Sequence, residues 1–152
     1  MSSFSENNPL LGTWKLISIT AIFPDGKIDK EAFGINPIGY ITYTPEGKIM
    51  VIFSKSERPL LSGNSASPLT TAIHSVPIEE RSQAFSNFNS YAGSYTLDGN
   101  TVIHHVEIAL IPNRVGKSLT RTFTLNENRI TLTTPLSKSD DTPKFELVWE
   151  RI

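Results

Sequence analysis

The chain contains no cysteine. Disulfides, thiolate catalysis and cysteine-held metal sites are therefore excluded together. A histidine-based metal site is not expected either. His104 and His105 point to opposite faces of one strand, and His74 lies far away in a loop. Neither a metal nor a cofactor is expected. An excess of charge of one sign is lacking too. Fourteen basic residues face 15 acidic ones, giving a net charge of -1, and no block of either sign occurs. The chain thus has no electrostatic footprint for nucleic acid or for an anionic membrane. Its aromatic residues do not interleave with Lys and Arg on one face, as single-strand binding would require. No apolar run approaches the roughly 20 residues of a membrane span. Residues 1–9 are polar and lack the apolar core of a secretion signal, so the expected setting is the cytoplasm. A glycine-rich phosphate loop and a Gly-x-Ser-x-Gly elbow are both missing.

What is there is the composition of one globular domain: 152 residues, 38% hydrophobic and 19% charged. Residues 1–9 read as a flexible arm and residues 10–152 as the domain. Within it, short β-like runs alternate with turn signals. The runs cover residues 14–23, 38–44, 48–54, 91–97, 101–110, 117–125, 129–134 and 144–151. Pro45-Glu46-Gly47, Asp98-Gly99-Asn100 and Asn126-Glu127-Asn128 mark three hairpins. Eight antiparallel strands joined in sequence order fit an all-β, up-and-down barrel, which leaves no open edge. A two-sheet sandwich would give a similar count. The segment 55–89 is too long for a turn. Its first half is rich in Ser, Gly and Pro. Its second half, residues 77–85, reads as a short helix between the third and fourth strands, with Pro77 and two early glutamates at its start. Such a helix is a lid over a barrel mouth or a plain cover for a sheet edge. The Asp140-Asp141 pair sits in a turn and reads as solvated.

Gly12-Thr13-Trp14 opens the first strand, and Trp149-Glu150-Arg151 ends the last. Between them lie Gly39-Tyr40-Ile41-Thr42-Tyr43-Thr44-Pro45-Glu46-Gly47, Tyr91-Ala92-Gly93-Ser94-Tyr95, Val102-Ile103-His104-His105-Val106-Glu107 and the spacing Asn113…Gly116…Arg121. In this order and over nearly the whole chain, these stretches resemble the short bacterial and fungal lipocalin-like domain family. The resemblance implies a calycin-type barrel in which Trp14 closes one end and Arg151 packs across it. Gly12 and Trp149 belong to the same implied closure. It also carries an association with secondary-metabolite genes, and no assigned activity.

Strand parity supplies the candidate site, because side chains alternate across a strand. His104 shares a face with Val102, Val106, Ile108 and Leu110. Arg121 shares one with Leu119, Phe123 and Leu125. Arg151 shares one with Phe145, Leu147 and Trp149. Three ionisable groups are thus expected to point inward among apolar residues. A buried guanidinium cannot shed its charge and needs a partner. For Arg151 that partner is the face of Trp14. For Arg121 no inward carboxylate is evident on the neighbouring strands. A ligand oxygen, Tyr95 or backbone carbonyls would serve. The expected lining is Tyr40, Phe53, Tyr91, Val106, Ile108, Phe123, Leu132 and Leu147. Tyr40 and Tyr43 have opposite parity, so only one of them can face in.

Two functions follow. One is a barrel that binds a hydrophobic small molecule with one carbonyl or acidic end, as a monomer or homodimer. The other is a cofactor-free isomerase or cyclase acting on a polyketide- or terpenoid-like intermediate. In that reading His104 and Tyr95 act as acid and base, and Arg121 stabilises an oxyanion.

Overall fold

Alternation of apolar and polar residues resolves into one continuous antiparallel sheet in the computed structural model, which describes residues 8–135 and 142–152. The strands are β1 (Gly12–Ile22), β2 (Ile28–Asp29), β3 (Ile38–Tyr43) and β4 (Lys48–Ser54). After them come helix α1 (Ile78–Ser86), β5 (Phe88–Asp98), β6 (Thr101–Ala109), β7 (Ser118–Asn126), β8 (Arg129–Thr133) and β9 (Lys144–Arg151). Sequence neighbours pair from β3 to β9, and β1 pairs with both β3 and β9. Eight strands therefore close into a barrel. The two-residue β2, absent from the sequence expectation, is a stub on the end of β1. Counting it, the helix falls between β4 and β5 and not between the third and fourth strands.

Turn chemistry fixes the register. At the β3–β4 turn Gly47 takes φ +84°, a conformation open to glycine at no steric cost, and its N–H donates to the Thr44 carbonyl. Gly99-Asn100 and Glu127-Asn128 make the corresponding turns before β6 and β8. Two bulges then alter parity. In β1 the register slips between Leu16 and Ser18, so that Trp14, Leu16, Ile19 and Ala21 all face in. In β6, Val106 pairs with Gly93 but Ile108 pairs with Ala92, leaving Glu107 as the extra residue. A Cβ on Gly93 would lie 1.8 Å from the His105 carbonyl oxygen, so only glycine allows the two backbones this close.

The core divides along the barrel axis. Leu10, Trp14, Tyr43, Ile49, Tyr95, Val102 and Ile130 fill one end completely. The opposite end is open, and α1 lies beside it with no buried residue of its own. Pro77 is the helix N-cap, with Glu79 and Glu80 in the first turn. The Glu80 carboxylate accepts from the Ser62 N–H and hydroxyl, both at 2.6 Å, which ties the loop to the helix. Arg58 donates to the Ala84 carbonyl at 3.0 Å and lies over the Phe88 ring. Asn8 and Pro9, read from sequence as part of the flexible arm, are bonded to the barrel. Residues 1–7 of that arm and the Asp140-Asp141 pair lie outside the described residues.

Candidate functional site

The filled end is built around Trp14. Its indole N–H donates to the Leu10 carbonyl at 2.9 Å. The Arg151 guanidinium stacks 4.1 Å from the Trp14 ring centroid and donates to the carbonyls of Leu11 and Pro9. Gly12, at φ +113°, leaves room for it: a Cβ there would meet the guanidinium at 3.1 Å. Arg151 is exposed, so it covers the barrel end from outside. That corrects the expectation that it points inward with Trp149. Strand β9 ends at Arg151, and its side chain folds back over the rim.

Toward the open end the barrel encloses a cavity of about 490 Å³. Ile41, Val51, Phe53, Leu132, Leu147 and Trp149 form its apolar wall, and Phe85, Ser86 and Phe88 border the mouth. His104, Tyr91, Arg114 and Arg121 supply its polar side. Among the described residues, no Asp or Glu lines it. Among the described residues no carboxylate pairs with Arg121 and no group of His, Asp and Glu could hold a metal ion. No helix there is long and apolar enough to cross a membrane.

The polar side is a contiguous chain. Tyr43 Oη lies 2.8 Å from His104 Nε2, and Tyr91 Oη lies 2.7 Å from His104 Nδ1. The Arg121 guanidinium donates to the Thr120 carbonyl at 3.0 Å and is close enough for its charge to act on Tyr91, and Arg114 sits over the Tyr91 ring at 5.6 Å. Burial pushes His104 well below the usual histidine range, and the Arg121 charge pushes it further, so the ring is neutral at pH 7. Burial also raises the Tyr43 and Tyr91 hydroxyls, with Arg121 opposing the rise in both. Burial also lowers Arg121 from the usual arginine range, but it stays a cation.

Parity placed His104, Arg121, Tyr91, Phe53, Leu132 and Leu147 at the cavity, and they line it. Other expected residues lie elsewhere. Tyr40 is 45% exposed on the outer face, because pairing with β1 turns Ile41 and Tyr43 inward. Ile108 is 67% exposed, because the β6 bulge reverses parity after Val106. Val106 and Phe123 are buried in the core but do not line the cavity. Tyr95 is packed into the filled end, where its hydroxyl donates to the Thr44 carbonyl at 2.8 Å and accepts from the Asn8 side chain at 2.7 Å. Trp149, expected with the closure, is part of the cavity wall and meets Phe53 edge-on. Parity leaves Tyr43 open as the alternative to Tyr40, and it does not reach Arg114 at all. Arg114 sits on a short 3-10 turn, Pro112–Arg114, where parity carries no information. Only the Asn113…Gly116…Arg121 spacing hinted at that loop.

A family model described as a lipocalin-like domain matches residues 11–152. No curated protein matches the chain.

Proposed function

The chain belongs to the lipocalin-like domain family, and on that premise we propose that its barrel binds an elongated apolar molecule with one acidic or carbonyl end. One observation carries the reading: Arg121 lines a largely apolar cavity with no carboxylate partner among the described residues, its guanidinium donating to the Thr120 carbonyl at 3.0 Å. A half-buried guanidinium without a counter-charge is costly, and an acidic ligand supplies the charge that a backbone carbonyl does not. Arg114 adds a second cation at the same side. The cavity volume falls in the range of small-molecule sites.

Titration with dodecanoate and with dodecane tests this, read through the fluorescence of Trp149 in the wall. The acid is expected to bind and to bind more tightly than the hydrocarbon. Equal affinities would remove the polar end from the reading.

The isomerase reading draws on a different observation. A tyrosine, His104 and Arg121 do converge, but the tyrosine is Tyr91. Both nitrogens of His104 are occupied by tyrosines, so the group facing a substrate would be Tyr91. Among the described residues the cavity offers no carboxylate as base, so acid–base chemistry there would fall to Tyr91.

A further inference from the structure

The hydrogens in the chain Tyr43–His104–Tyr91 can be assigned by elimination. Tyr43 is 1% exposed, and among the described residues its hydroxyl has one hydrogen-bond partner, His104 Nε2. If Nε2 carried the ring hydrogen, it would donate to Tyr43, and the Tyr43 hydroxyl hydrogen would be buried without an acceptor. That costs about 1–3 kcal/mol. Tyr43 therefore donates, and Nε2 accepts. A neutral imidazole has one N–H, so the hydrogen sits on Nδ1 and points at Tyr91 Oη, 2.7 Å away. Arg121, which can only donate, gives its hydrogen bond to the Thr120 carbonyl, 3.0 Å away. The Tyr91 oxygen accepts from His104, so its own hydrogen points away from that ring, toward the cavity that Tyr91 lines.

We propose that Tyr43 and His104 fix Tyr91 as a hydrogen-bond donor aimed at the bound molecule. The cavity then selects a ligand oxygen that only accepts, as in a ketone or carboxylate, over one that carries a hydrogen. Beside Tyr91 the cavity's charged groups, Arg121 and Arg114, only donate, while Ser86, Asn89 and Thr134 also line it. An alcohol could accept from Tyr91, but its own hydrogen would then face guanidinium groups that offer it no acceptor. Tyr43 and His104 act through Tyr91 and are positioning residues. The inference rests on the ligand reading above, and it adds the oxygen chemistry.

Two measurements test it. In protein labelled with ¹⁵N-histidine, NMR distinguishes a protonated from a bare ring nitrogen, with His74 and His105 assigned through His→Gln variants. His104 is expected as the Nδ1–H tautomer. In parallel, 2-dodecanone and 2-dodecanol share one skeleton and differ in that hydrogen. The ketone is expected to bind about tenfold more tightly, the lower end of an unsatisfied buried group. Tyr91→Phe should bring the ratio close to one. A His104 ring protonated on Nε2, or a wild-type ratio near one while dodecanoate still binds and weakens in Arg121→Met, overturns the inference and leaves the anion site standing. Failure of dodecanoate and ketone alike to bind overturns both.

Discussion

Arg121 is where single-residue chemistry weighs most. Arg121→Met keeps the length and removes the charge, so it should leave the barrel folded. Affinity for dodecanoate is expected to fall by about 2–5 kcal/mol, the usual range for losing one partner of a buried charge pair. Affinity for dodecane should hardly change. Calorimetric titration of both ligands checks this, and equal losses would point to a packing defect. His104 makes the fold sensitive to acid. Its folded-state pKa is depressed below the ordinary 6.5, so between those two values the unfolded chain binds more protons. The stability it contributes is present above about pH 6.5 and is lost as pH falls through that window. Urea melts at pH 7.5 and pH 5 should show the loss, and His104→Phe should flatten it. A wild-type slope retained in His104→Phe would place the acid sensitivity elsewhere. Parity found His104 and Arg121 because apolar neighbours on both sides fixed their face. It could not choose between Tyr40 and Tyr43, whose strand reads apolar on both faces. That choice is made by pairing with β1.

At the scale of elements, the insertion at 55–89 is expected to be the loosest part of the described chain. Helix α1 buries no residue, and Leu60 and Leu69 are almost fully exposed. Its ties include buried Val76, Ser56 to the Ile35 carbonyl, the Glu80–Ser62 pair, Arg58 to Ala84, and Phe85 and Ser86 at the mouth. Hydrogen exchange is expected to be fastest there without ligand and to slow when dodecanoate binds. Equal exchange in both states would make α1 a plain cover. The sequence showed this helix through Pro77 and the glutamates, and it showed most strand ends through their turns. It hid the bulges. A bulge is one residue too many against a partner strand, and nothing local in Val106-Glu107-Ile108 records the partner's count. Gly93 was the trace, since glycine inside a strand marks close backbone approach. Reading its meaning required knowing that β6 lies opposite.

For the whole molecule, closure depends on Trp14 and its cover. Trp14→Ala is expected to destabilise by about 3–5 kcal/mol, the range for emptying a large core position. A urea melt showing less than about 1 kcal/mol of loss would mean the filled end does not lean on this ring. Strand number and order were legible because hairpins are local. Closure was not, because the β1–β9 ladder joins residues at the two extremes of the domain, from Trp14 with Arg151 to Ile22 with Lys144. That same ladder sets an order in time. The first and last strands share a seam, so no intermediate lacking β9 has an enclosed interior. Loop closure on that scale is entropically late and makes for slow folding. A ligand can be captured only after the final strand has docked, and a nascent chain still missing it would be an open sheet with two unpaired edges.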